Sequence, residues 1–338
     1  MRSLYYPAFD QLELRDVPPP QPAPGEVLLK VAAVGICGSE LESFKGHSPR
    51  RPPPLIMGHE FCGTVVAVTD GGDENLIGRH FVSNSLVSCG TCASCQRGDT
   101  HLCPRRQIFG MHRPGAFAEY AAVPKRVLLP WPDTLPAAAA CLAEPLANGV
   151  HIVNLTRHLA VERALIIGAG PIGLMCQQAL QAMRSVKTMV CDLSAGRLEV
   201  AQRLGATHTV RSHQNDVQRE VARWTDDLGV DLVVDAVGAA VTKRLSLAAL
   251  RPGGAAVWIG LHGDRMEIDS YEVTLPERQI LGTYSARMDE LATALDLMTQ
   301  KKVDVTSWTQ SEPIEHGVEA FHRVLSPGDN DIKAILTF

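Results

Sequence analysis

The string Gly168-Ala169-Gly170-Pro171-Ile172-Gly173 limits what this chain can fold into more than any other. It follows the apolar run 164–167 and opens the apolar-rich segment 174–182. Strand, glycine turn and helix in that order are the context a dinucleotide fingerprint requires. Gly168 makes the tight turn, Gly170 lets backbone approach a pyrophosphate, and Gly173 lets the helix pack close to the strand. The helix N-terminus, entered through Pro171 and Ile172, adds free N–H groups and a positive dipole end for phosphates. The next apolar run, 187–191, ends in Asp192. A carboxylate there accepts bonds from ribose hydroxyls and repels a 2′-phosphate, so the pattern predicts NAD rather than NADP. Arg197 stands close enough in sequence to stack on adenine or to pair locally. From residue 164 onward, apolar runs at 164–167, 187–191, 207–210, 231–237, 255–259 and 279–282 alternate with helical stretches such as 195–204 and 241–250. The fold class is therefore α/β, with a doubly wound parallel sheet of six strands.

The 338 residues suffice for about two domains. Ahead of residue 130 the chain is mostly β. A hairpin is expected over 1–16, strands over 27–34, 63–68, 78–83 and 116–123, and a turn at Gly71-Gly72. Proline and glycine punctuate it at short intervals, as in a small barrel or sandwich. After Pro136 the segments 137–142 and 147–153 favour helix. The tail holds two helices, 289–300 and 317–324, and a strand, 333–338, and is expected to fold back onto the first domain.

Net charge is −5, with acidic and basic residues interspersed and no basic stripe, so nucleic acid is not an expected partner. Residues 1–10 lack the basic-then-apolar pattern of a signal peptide. The apolar stretch 164–176 is too short and too broken to span a bilayer, so no membrane partner is expected. Nine cysteines are present, and the tight C-x2-C spacing of the four within 89–103 points to metal rather than disulfides, and to the cytoplasm.

Cys89, Cys92, Cys95 and Cys103 follow the spacing C-x2-C-x2-C-x7-C. Four thiolates close a tetrahedral site with no open position, which describes structural zinc. Iron–sulfur clusters also use clustered cysteines, but Gly90, Ser94 and Gly98-Asp99 between them lend that no support. A sparser set comprises Cys37, His59-Glu60 and Glu144. Together these make a mixed zinc shell with room for water or substrate. Singly, such a Cys is a small buried residue and such a His-Glu pair a surface pair, and spacing does not decide between the readings.

The strings GICGSE, GHEFCGTV, CGTCASCQRGDTHLC, RPGAFAEY, EPLANGVH, GAGPIGL, VVDAVG and LRPGG run in this order across nearly the whole chain. Together they resemble the zinc-dependent medium-chain dehydrogenase/reductase family, with a sorbitol-dehydrogenase-like cast. The resemblance implies a GroES-like catalytic domain (1–146, with a structural zinc lobe at about 86–106), a Rossmann NAD-binding domain (147–284) and a return to the catalytic domain (285–338). It implies two zinc ions. The structural one falls to the four cysteines. The catalytic one falls to Cys37, His59 and a carboxylate, either Glu60 or Glu144, or to a water held by one of them. Ser39 matches the hydroxyl that takes the alcohol proton. The cofactor contacts would be Gly168, Gly170, Pro171, Ile172, Gly173, Asp192, Arg197, Val237, Gly238, Gly260 and Leu261. Many members carry a relay His where this chain has Glu42; Glu42, His47, or a metal-held water with Glu60 would substitute. The implied reaction oxidises a secondary alcohol (a polyol, sugar alcohol or sugar derivative) by hydride transfer to NAD. Threonine or a simple alcohol, or a zinc-free reductase or non-catalytic NAD(P)-binding protein on the same scaffold, are the competing readings. The family also implies a homo-oligomer, dimer or tetramer.

Several residues are read as structural. His151 packs in a helix, and Cys62, Cys141, Cys176 and Cys191 are small core residues. His101 lies inside a lobe whose four thiolates already complete a site. Arg50-Arg51 is read as a solvated loop in preference to a phosphate contact. Loops near Phe44, Phe109 and Leu261 are expected to shape the substrate pocket.

Overall fold

The computed structural model describes residues 1–46, 50–69, 73–326, 328 and 331–338; the expected turn at Gly71-Gly72 and the relay candidate His47 lie outside them. The chain divides into two compact units. The first holds Met1–Ala147, Ser285–Lys301 and Val305–Phe338, the second Asn148–Tyr284 and Lys302–Asp304.

The first unit is β-rich and GroES-like. Its central strand is Glu26–Gly35, alternating apolar residues whose inward set (Val27, Leu29, Val31) is buried. This strand pairs antiparallel with Glu60–Val68, Tyr120–Pro124 and Lys333–Thr337, so the chain's last strand lies beside one of its first. The register puts Gly35 opposite Glu60 on one side and opposite Ile335 on the other. A second sheet joins the hairpin Arg2–Ala8 and Gln11–Asp16 to Leu55–Ile56. The core between them is aromatic: Tyr6, Phe44, Phe61, Phe109, Phe117 and Phe321 are all fully buried. Phe44 stacks edge-on against Phe321 at 5.1 Å and Phe61 against Phe109 at 5.1 Å. Phe44 and Phe109 themselves belong to the core.

The strand expected over 116–123 begins only at Tyr120. The reason is local: the amides of Gly115, Ala116 and Phe117 donate to the carbonyls of Ile56, Gly58 and Met57, which pins that segment to the Gly58-His59 turn instead.

The second unit has the Rossmann arrangement. Its six parallel strands are Arg163–Ile167, Lys187–Asp192, His208–Arg211, Val230–Asp235, Leu250–Trp258 and Gln279–Gly282. Numbered one to six in chain order, they lie 3-2-1-4-5-6. The connecting helices cover both faces, and the central strands read as continuous apolar runs, as strands buried on two faces must. The strand order reverses between Arg163–Ile167 and Val230–Asp235, and a crevice at the carboxyl ends there is where such sheets bind ligands. Among the described residues no helix is long and apolar enough to cross a membrane.

Candidate functional site

The mixed donor set forms in the first unit. The strand Glu26–Gly35 delivers Cys37 to the N-cap of a short helix, Gly38–Phe44. The turn before Glu60–Val68 delivers His59 and Glu60. Donor atoms of Cys37, His59 and Glu60 all lie within 4.8 Å of one another. The Ser39 hydroxyl donates to Cys37 Sγ at 3.3 Å.

Glu40, which the sequence reading passed over, organises this set. It is fully buried. One oxygen accepts the Cys37 N–H at 3.0 Å, and the other accepts the Gly58 N–H at 2.8 Å and meets His59 Nδ1 at 2.9 Å. With Nδ1–H directed at Glu40, the lone pair of the neutral imidazole falls on Nε2, the nitrogen left for a metal. Burial alone would raise the Glu40 pKa; His59, then Arg51 and the Cys37 N–H, reverse this and hold it below the ordinary value. His59 mirrors it: burial works to lower it, while Glu40 and Cys37 hold it well above. The local signal was present, because Cys37-x-x-Glu40 is a capping box.

Lys333 was also missed. Its ammonium, on the last strand, pairs with the Glu60 carboxylate and donates to the Ile36 carbonyl at 2.8 Å. Both side chains are only 2% exposed. The pair fits because residue 35 is glycine: a Cβ there would meet Glu60 Oε2 at 2.2 Å and Lys333 Cε at 3.1 Å. Glu144 is buried in the first turn of the helix Ala143–Leu155. It stands outside the three-donor set, and burial raises its pKa against the pull of His59, with Glu60 adding to the rise.

Arg51 is not on a solvated loop. It is 2% exposed, with Nε donating to the Gly110 carbonyl at 2.9 Å and Nη1 to the Ser39 carbonyl at 3.1 Å. Exposure is the usual state of arginine, but here the guanidinium ties the Gly38–Phe44 helix to the Gly110 turn. His151, Cys62, Cys141, Cys176 and Cys191 are buried, as read. Burial pushes the Cys176 and Cys191 thiols up to about 12.

The sulfurs of the four-cysteine lobe converge on one point. Sγ–Sγ separations are 3.9 Å for Cys89–Cys95, 3.5 Å for Cys92–Cys95 and 3.8 Å for Cys92–Cys103. A tetrahedron with Zn–S bonds of about 2.3 Å puts its sulfurs about 3.8 Å apart, so the set has the dimensions of a zinc site. The Thr91 N–H is the chief influence lowering Cys89 to about 5.

In the second unit Gly168 has φ +96°, open to glycine, and a Cβ on Gly173 would fall 1.8 Å from the Gly168 carbonyl oxygen. Gly170 caps the helix Pro171–Arg184, with Pro171 and Ile172 opening its first turn. A cavity of about 1450 Å³ lies beside this turn, and Gly168, Asp192, Arg197 and Val237 line it with Ser212 and His213. Asp192 does more than face the cavity: it accepts the Ala169 N–H at 2.7 Å and the Ser194 N–H at 2.8 Å, bracing the glycine turn. Gly238 and Gly260 press together, a Cβ on Gly238 meeting the Gly260 carbonyl oxygen at 2.1 Å. Leu261 beyond them is 55% exposed.

Two family models match this chain: the alcohol dehydrogenase GroES-like domain over residues 23–133, and the zinc-binding dehydrogenase over residues 171–300. L-threonine 3-dehydrogenase of Pyrococcus abyssi is 37% identical over 260 residues, 76% of this chain and 74% of the relative. The chain belongs to the zinc-dependent medium-chain dehydrogenase/reductase family. Members are oxidoreductases, and this dehydrogenase has relatives of differing specificity. D-arabitol-phosphate dehydrogenase of Enterococcus avium is 31% identical over 335 residues, 98% of this chain and 95% of the relative. Among solved structures, a short chain alcohol dehydrogenase from E. coli CFT073, complexed with NADH, superposes with a TM-score of 0.93 at 26% identity, covering 100% of this chain and 99% of that one.

Proposed function

We propose that this dehydrogenase oxidises a secondary alcohol, of the polyol, sugar-alcohol or sugar-derivative class, to a ketone with NAD as hydride acceptor. The observation that carries the reading is the convergence of Cys37, His59 and Glu60 on one point, with Glu144 buried nearby. A closed four-thiolate site leaves no room for substrate, whereas a mixed shell of this kind does. Zinc bound there supplies Lewis acidity that lowers the pKa of an alcohol, and NAD supplies the hydride acceptor.

The chain's own residues do the rest. Cys37 and His59 hold the metal, with Glu60 or Glu144 completing the shell. Glu40 fixes the tautomer and ring plane of His59. Lys333 pairs with Glu60, and a metal held by Cys37 and His59 would have to share that carboxylate with it. The Ser39 hydroxyl accepts the alcohol proton and passes it outward, with Glu42 or Glu60 next in line. In the second unit, the glycine turn and the helix N-terminus take the pyrophosphate, Asp192 the ribose, and Val237, Gly238, Gly260 and Leu261 border the remainder of NAD. Cys89, Cys92, Cys95 and Cys103 hold the second zinc.

Threonine is the second reading, favoured by the 37% identity to an enzyme of that name. Glu42, where many members carry a relay His, weighs against it. Soluble cytoplasmic placement and a homodimer or homotetramer complete the proposal. The test is an NADH-formation screen over polyols, their phosphates, threonine and simple alcohols, with metal analysis alongside. Two zinc ions per chain and strongest turnover on a polyol or its phosphate are expected. One zinc in the wild type, or full activity in Cys37→Ser, sinks the catalytic-zinc reading.

A further inference from the structure

The four-cysteine lobe carries a feature that zinc ligation alone does not account for. Arg105, exposed on its surface, directs one nitrogen at two acceptors. Nη2 lies 3.3 Å from Cys89 Sγ and 2.9 Å from Thr91 Oγ1. The Thr91 hydroxyl in turn donates toward Cys89 Sγ at 3.7 Å. Arginine, threonine and sulfur thus close a small ring of hydrogen bonds with the sulfur as final acceptor. The lobe's other arginines are used differently: Arg97 pairs with Asp99, and Arg106 donates to the Cys103 carbonyl.

Four thiolates around a divalent ion leave a net charge of −2 at the site. That excess resides on sulfur and keeps metal-held thiolates nucleophilic toward electrophiles. A cation donating an N–H to one of them withdraws density from that sulfur. Building on the proposal that these cysteines hold zinc, we infer that Arg105 guards the site: it neutralises part of the charge on Cys89, lowers the nucleophilicity of that sulfur, and slows electrophile-driven loss of the metal.

The test uses full-length protein in a Cys37→Ser background, which leaves the lobe as the one expected zinc site, and iodoacetamide as the electrophile. In that reaction the Cys89 sulfur pair forms the S–C bond, iodide leaves, and the resulting thioether releases its hold on zinc. Freed zinc is read with 4-(2-pyridylazo)resorcinol, and modification at each cysteine by peptide mass spectrometry. Arg105→Met should speed alkylation at Cys89 roughly two- to fivefold, the range expected of one exposed charge contact. Arg105→Lys, which keeps the charge but carries it on a compact, more strongly hydrated head, should fall between. Raising salt should bring the unmodified protein toward the methionine variant by screening the cation. Zinc content below one per chain in the Cys37→Ser protein would defeat the zinc reading, and the inference with it. One bound zinc with an unchanged Cys89 rate in Arg105→Met would defeat the inference alone. Equal acceleration at all four cysteines would also overturn it, since that is what general loosening of the lobe produces.

Discussion

Replacing Lys333 by methionine tests the electrostatics of the donor set most directly. The ammonium has two partners, the Glu60 carboxylate and the Ile36 carbonyl, and the two charged side chains are 2% exposed. Were this an exposed pair, its loss would cost less than about 1 kcal/mol. Buried, the methionine variant strands a carboxylate without its cation and a carbonyl without its donor. The cost of breaking a buried pair from one side is about 3–5 kcal/mol, most of it the uncompensated charge. Removing both charges, as in Glu60→Met with Lys333→Met, should restore much of that loss, because the desolvation penalty disappears with the carboxylate. Urea unfolding of the wild type, both single variants and the double variant, with chelator present so that no metal takes the lysine's place, gives the coupling energy. We expect at least about 2 kcal/mol. A Lys333→Met loss below about 1 kcal/mol, or additive single variants, would show that water reaches the pair and that the reasoning fails.

Gly173→Ala should reduce NADH binding at least tenfold and destabilise the second unit by about 1–3 kcal/mol, since its Cβ would collide with backbone at 1.8 Å; zinc content should not change, and a wild-type NADH fluorescence titration would refute this. Asp192→Ala removes both the brace on the Ala169 amide and the repulsion of a 2′-phosphate, so preference for NAD over NADP should fall roughly tenfold, the worth of one charge-assisted bond. Equal use of NAD and NADP by the wild type would overturn the role given to that carboxylate. Asp231 is held below the ordinary carboxylate value: burial opposes this, but Arg251 and the Arg163 and Glu162 amides outweigh it. A carboxyl whose folded pKa is depressed stabilises above its unfolded pKa of about 3.9 and loses that contribution as pH falls through the folded value. Melting temperatures taken from pH 6 downward should therefore fall more steeply for the wild type than for Asp231→Asn; parallel curves would contradict the assignment.

What the sequence disclosed and what it withheld divide by distance along the chain. Gly168 to Gly173, Asp192 and the four cysteines act within short spans, where spacing alone constrains geometry. The parallel sheet was legible because its strands are apolar on both faces. Lys333 was not, because its partner Glu60 is 273 residues away and nothing near either residue announces the other. Arg51 misled because an arginine among prolines ordinarily faces water, and only the fold supplies the Ser39 and Gly110 carbonyls that receive it. Glu40 lay in between. Its capping position was readable, but its reach to His59 depends on how the two strands register.

The placement of Lys333–Thr337 against Glu26–Gly35 has a consequence for how the protein is made. As the ribosome works from residue 1 onward, the second unit has all but three of its residues once Tyr284 has emerged. The first unit must wait. Until the 333–337 segment emerges, the Ala33–Gly35 end of the central strand lacks its partner on that edge, and Glu60 lacks Lys333. The nascent chain therefore has nearly all of its second unit well before the buried Glu60–Lys333 pair can form.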